Sequence, residues 1–167
     1  TKVYDSLISI GVLFQKGLYM QAAALVEKAL KLAVENEMFR QQLVLTEIKE
    51  ELLLKNQEYG AALKVFTTDF YSMDLVYNLM SLKELTTEGY NENLAKGVVR
   101  ENEDLISFKN LLKDPIVKNQ SQALSKRARL HQISVQLTYN MVAGNNKEVL
   151  KYAEVILRHY EIHTHLI

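Results

Sequence analysis

Residues 17–30 read Gly17-Leu18-Tyr19-Met20-Gln21-Ala22-Ala23-Ala24-Leu25-Val26-Glu27-Lys28-Ala29-Leu30, and this stretch decides the fold. Lys16-Gly17 interrupts the preceding pattern, and from Tyr19 onward Ala22, Val26, Ala29 and Ala33 recur at helical spacing with Leu25 and Leu32 beside them. Small residues on that stripe let a second helix approach to about 8–10 Å between axes. The stretch therefore predicts a turn followed by a helix that is closely packed by neighbours.

Working outward, Val3, Leu7, Ile10 and Phe14 mark one face of a helix before the turn, over 3–15. A third helix is expected from Met38 to Leu54, closed by Asn56, with Leu45, Ile48 and Leu52 inward. A fourth runs from Glu58 to about Phe70. A fifth is expected after Ser72, taken as an N-cap, carrying Leu75, Leu79 and Leu82 until Thr86-Thr87-Glu88-Gly89 stops it. Residues 86–119 are irregular in pattern, with two shorter helices expected between Tyr90 and Pro115, the second holding Leu105, Phe108 and Leu112, and a turn at Asp114-Pro115. A long helix over 120–142, a loop at Ala143-Gly144-Asn145-Asn146 and a last helix over 147–159 complete the chain.

Composition agrees with an all-α reading. Six Gly and one Pro in 167 residues are too few for the regular turns that a sheet-rich chain needs. A chain of this length removes roughly 70% of its extended surface from water on folding, so a core alone suffices. The expectation is about eight helices in antiparallel pairs forming one helical-repeat domain over 1–167, or a piece of a longer array. The absence of Cys excludes disulfides, thiolate zinc sites and cysteine nucleophiles. Lys+Arg and Asp+Glu number 20 each, which speaks against a dedicated nucleic-acid binder. The nearly apolar run Leu7–Phe14 is far short of the about 20 residues a spanning helix needs. Localisation is read as cytoplasmic by default.

The second helices repeat. Ala22, Val26, Ala29 and Ala33 share their spacing with Val149, Ala153, Ile156 and Tyr160, and Tyr19 leads Ala22 and Val26 as Tyr59 leads Ala62 and Phe66. With these residues in view, the chain resembles the tetratricopeptide repeat family, best over Gly17–Ala22 with Glu27-Lys28-Ala29-Leu30, then over Glu58–Phe66, then over Gly144–Leu157. Residues 1–85 carry the better-matched units and 120–167 a final helix pair. The pattern departs from the family in having no Trp, no closing proline, and 40 residues from Tyr19 to Tyr59 against the family's about 34. The resemblance implies an α-α superhelix that binds a protein or peptide partner on a concave face.

Two polar patches are candidates for that face. On the long helix, Arg129, Gln132, Gln136 and Asn140 form a narrow hydrogen-bonding stripe between apolar walls of Leu130, Ile133, Leu137, Met141 and of Ala128, Val135, Tyr139, Val142. Arg40, Gln41 and Lys49 on the third helix are the second patch. The alternative in another class is a structural element that self-associates through an end helix, at Val3/Leu7/Ile10 or Val155/Tyr160. A remote third is nucleic-acid contact through Lys126-Arg127-Ala128-Arg129.

No enzyme is expected. Acidic residues such as Glu47, Glu50 and Glu51 follow helix surfaces, and no phosphate loop, nucleophile elbow or His-Glu-x-x-His run occurs. His159, His163 and His165 crowd the end of the chain, the first two at i, i+4, but a fraying segment lacks the outer partners that orient metal ligands. No cofactor, metal or small-molecule substrate is expected. The tyrosines Tyr19, Tyr59, Tyr139, Tyr152 and Tyr160 are read as fillers of helix crossings.

Overall fold

The computed structural model describes residues 2–96 and 105–166, and is all-α. The elements are α1 (Lys2–Gln15), α2 (Tyr19–Glu35), α3 (Phe39–Lys55), α4 (Tyr59–Lys96), α5 (Leu105–Lys113), α6 (Pro115–Lys118), α7 (Lys126–Val142) and α8 (Asn146–Ile162). Short 3-10 turns lie at Gln120–Gln122 and Thr164–Leu166. Neighbouring helices pack in sequence, as a helical repeat requires. Two compact units result, residues 1–76 and 77–167, with the boundary inside α4.

One turn recurs at every hairpin. The residue after the C-cap takes positive φ: Gly17 at 72°, Glu37 at 50°, Gln57 at 63° and Gly144 at 71°. Its N–H bonds the carbonyl three back, and the next N–H reaches five back: Leu18 to Leu13, Met38 to Ala33, Glu58 to Leu53 and Asn145 to Asn140, at 2.8–2.9 Å. This double closure is the Schellman motif, which satisfies the orphan carbonyls of a helix end. The residue that closes each motif then starts the next helix, Leu18, Met38 and Asn145 being the N-caps of α2, α3 and α8. Each hairpin is therefore only three residues wide.

In the first unit, Val3 and Ile10 of α1, Ala22, Val26, Ala29 and Ala33 of α2, and Leu45 and Leu52 of α3 form one core. The alanines are fully enclosed, which is how the helices come close. Phe14 and Tyr19 meet edge to face at 5.4 Å across the first turn, and Lys55 Nζ sits 5.3 Å from the Phe14 ring centroid. Tyr59 departs from the expected filling role. It is exposed, and Leu54, which stands in its turn where Phe14 stands before Tyr19, is exposed as well.

The expected break at Ser72 and stop at Gly89 are corrected, since α4 runs unbroken through both. Ser inside a helix costs only about 0.5 kcal/mol against Ala, and Gly about 1 kcal/mol, so packing overrides both signals. Ser72 is buried rather than capping, and at Gly89 a Cβ would stand 3.5 Å from Leu111 Cδ1 and 3.8 Å from Thr138 Cγ2.

The second unit is built on Leu82 of α4, Phe108 and Leu111 of α5, Val117 of α6, and Ala128, Val135 and Val142 of α7. The 113–125 connection is pinned by side chains. Asp114 caps α6 by accepting from Ile116 N at 2.9 Å, and Ser125 caps α7 by accepting from Ala128 N at 3.0 Å. Asn78 on α4 donates to Gln122 O at 2.7 Å and accepts from Leu124 N at 3.0 Å. The long helix thus begins at Lys126 instead of Gln120, because the preceding residues are drawn into this connection. The last helix extends to Ile162, past the expected His159.

Candidate functional site

Gln132 and Asn140 of the first patch lie inside the second unit. Gln132 is 1% exposed. Its Nε2 donates to Ile116 O at 2.6 Å and Asn119 O at 2.8 Å, while its Oε1 accepts from Arg129 Nη1. Asn140 donates to Gln136 O at 2.8 Å and accepts from Asn145 Nδ2 at 3.1 Å, a side-chain bond across the α7–α8 turn. Burial lowers the pKa of Arg129, opposed by the nearby Tyr152. The stripe is thus a clamp on the chain's own backbone, with Gln136 half-buried at its margin.

The second patch belongs to the first unit and divides three ways. Arg40 is exposed. Gln41 Nε2 donates to Tyr4 Oη at 2.6 Å, tying α3 to α1. Lys49 Nζ stands 2.6 Å from Glu27 Oε1 on α2. The α1–α2 and α2–α3 hairpins are both tight, so α1 and α3 run side by side in the same direction. Along α1, Tyr4 (48% exposed), Ile8 (70%) and Val12 (45%) recur every four residues, and Val44, one turn beyond Gln41 on α3, is exposed too. This apolar stripe is a different face from Val3/Leu7/Ile10, of which Val3 and Ile10 are buried against α2 and α3. The signal for it was present in the i, i+4, i+8 spacing of Tyr4, Ile8 and Val12, but a periodic apolar row reads first as core.

Gln42, Thr46, Lys49 and Ser72 converge on a cavity of about 200 Å³ among α2, α3 and α4. Of these only Lys49 is legible as a candidate from sequence; Gln42 and Thr46 lie beside it on the core face of α3. Comparison with known proteins returns no match. Neither a family model, nor a curated protein, nor a solved structure is similar to the chain.

At the other end, α8 has no fully buried residue, and Leu150, Leu157 and Ile162 are exposed. Val155 and Tyr160, the residues expected for self-association there, are exposed to lesser degrees. His159 and His163 rings meet edge to face at 4.8 Å, and His163 and His165 at 6.0 Å. Among the described residues no group of three or more His, Asp or Glu is placed to hold a metal ion, and no helix is long and apolar enough to cross a membrane. In the Lys126–Arg129 run, Ala128 is enclosed and Arg129 is turned onto Gln132.

Proposed function

We propose that this chain is a non-enzymatic protein–protein interaction module of tetratricopeptide-like build, which binds a peptide or partner helix along the exposed α1/α3 face. The observation that supports the reading is the exposed row of Tyr4, Ile8 and Val12, of which Tyr4 is held by Gln41 of α3. Apolar side chains at i, i+4 and i+8 match how an amphipathic helix presents its anchors to a groove. Such a row on a helix held by its neighbours needs little ordering when a partner arrives, which is the main saving a preformed surface offers. The repeated turns and small-residue crossings support the helical-repeat part, and the resemblance to the tetratricopeptide pattern supports the binding part.

A photo-crosslinking residue at Ile8, compared with one at exposed Lys28 on α2, tests this. The expected result is a discrete adduct to another polypeptide from Ile8 alone, abolished by Val12→Glu. Equal labelling from both positions, or none, removes the α1/α3 face as a binding surface. A second reading rests on the outward Leu150, Leu157 and Ile162 of α8: an end helix so clad is suited to stacking on another copy. An adduct of twice the 19.2 kDa chain mass favours that reading.

A further inference from the structure

Histidine is scarce in this chain, and His159, His163 and His165 crowd its last stretch. A frayed end would scatter them. Instead α8 stays helical to Ile162, and His163 is its C-cap, donating its N–H to His159 O at 3.0 Å. His159 and His163 are therefore held one turn apart on one face, the i, i+4 arrangement by which two imidazoles on a helix share a metal ion. His163 is half-buried and His159 is half-buried, so neither ring is loose in solvent.

The spacing of the rings says which ion they suit. An imidazole nitrogen ligates at about 2.0–2.1 Å with its lone pair directed out from the ring, so a shared metal lies about 3.2 Å from each centroid. The centroids of His159 and His163 are 4.8 Å apart, which subtends about 95–100° at such a metal. That is close to the right angle between neighbouring ligands of a tetragonal ion and short of the tetrahedral angle. The rings now meet edge to face at 71°, so closing the chelate takes a rotation about χ2, a soft torsion in histidine. His163 and His165 stand 6.0 Å apart, which would demand about 140°, too wide for neighbouring positions. His165 is thus outside the chelate, in keeping with the lack of a three-ligand group among the described residues.

Two further terms favour a cation here. The last carbonyls of α8 carry the negative end of the helix dipole, which stabilises positive charge in the final turn. Each imidazole also has two nitrogens, so one ligates while the other keeps a partner that orients the ring. Imidazole suits Cu²⁺, Ni²⁺ and Zn²⁺, whereas Mg²⁺ and Ca²⁺ take oxygen ligands.

We propose that His159 and His163 form a two-imidazole site at the C-terminal end of α8 for a tetragonal divalent cation, Cu²⁺ or Ni²⁺, with water in the remaining positions. The site lies in the second unit and stands whether or not the α1/α3 face binds a partner.

The test is a calorimetric titration of the full 167-residue chain with Cu²⁺, Ni²⁺, Zn²⁺ and Mg²⁺ in a non-chelating buffer at about pH 7.5, with electron paramagnetic resonance of the Cu²⁺ sample. Cu²⁺ is expected to bind at a single equivalent with nitrogen hyperfine structure, Ni²⁺ next, Zn²⁺ more weakly and Mg²⁺ not at all. His159→Ala and His163→Ala are each expected to weaken Cu²⁺ by about ten-fold or more, since even groups that only orient a ligand are worth about 10–100-fold. His165→Ala and His131→Gln are expected to leave the affinity unchanged. Acidification to about pH 5.5 protonates both imidazoles and is expected to release the ion. Amide exchange across residues 159–163 should slow on adding Ni²⁺, because the chelate ties the two ends of that turn together. Affinity unchanged in both His159→Ala and His163→Ala, an equal loss in His165→Ala, or binding shared by Mg²⁺ overturns the site. Zn²⁺ binding above Ni²⁺ overturns its tetragonal geometry.

Discussion

At the scale of the residue, the largest difference between pattern and structure is Gln132. A row of Arg, Gln, Gln and Asn on a helix looks like a solvated edge, because periodicity records which residues share a face and not what folds over it. What covers Gln132 is the 113–125 connection, whose carbonyls at Ile116 and Asn119 the amide holds. Gln132→Ala leaves two carbonyls short of a donor and opens a void, so a loss of about 3 kcal/mol is expected in urea unfolding. Gln136→Ala, at the half-buried margin, is expected to stay within about 0.5 kcal/mol; equal costs for the two would refute the clamp. His131 is a second case. Burial, with Lys83 nearby, holds its imidazole below the ordinary value. A base whose folded pKa is depressed takes up its proton more readily when unfolded, so stability is lost as pH falls through about 6.5. The slope of unfolding free energy between pH 7.5 and 5.5 should be shallower in His131→Gln.

At the scale of the element, α1, α2, α3, α7 and α8 are legible to within a few residues at most ends, because Gly17, Asn56 and Gly144 punctuate them in the sequence. The turn at Glu37 carries no glycine, and its conformation, like that of Gln57, is not legible in the sequence. Side chains at φ of 50° and 63° cost about 1 kcal/mol each that the flanking helices absorb. Gln57→Gly is therefore expected to raise stability by about 0.5–1 kcal/mol, and Gly17→Ala to lower it by about 1–2 kcal/mol, by thermal and urea unfolding. Opposite signs would mean the turns are not the shared motif described above. Within α4 the signs reverse. Gly89 is helical and a Cβ there meets only ordinary van der Waals neighbours, so Gly89→Ala is expected to stabilise by up to about 1 kcal/mol, whereas Gly89→Leu should overpack Leu111 and Thr138. The unbroken run through Ser72 and Gly89 escaped the pattern because both residues are weak helix breakers whose outcome is set by packing.

At the scale of the molecule, the fold class follows from scarce turn residues and repeated small-residue stripes, both visible in the chain itself. Which face stays open does not follow, since an exposed row such as Tyr4, Ile8 and Val12 and a buried one such as Val3 and Ile10 have the same period. Light scattering at micromolar concentration is expected to return the 19.2 kDa mass of one chain, and Ile8→Glu should not change it. A dimer mass in the wild type that Leu157→Glu abolishes would transfer the weight to stacking through α8. The residues of positive φ at 17, 37 and 57 stand 20 apart, and each turn reverses the chain. A duplicated or deleted piece of 40 residues restores both direction and helical phase, whereas 20 reverses the direction and any other length rotates everything downstream about the helix axis. The first unit is thus a gauge for its own growth: residues 19–58 can be copied in tandem as a cassette, and insertions of other lengths belong only where the regular interval is already lost.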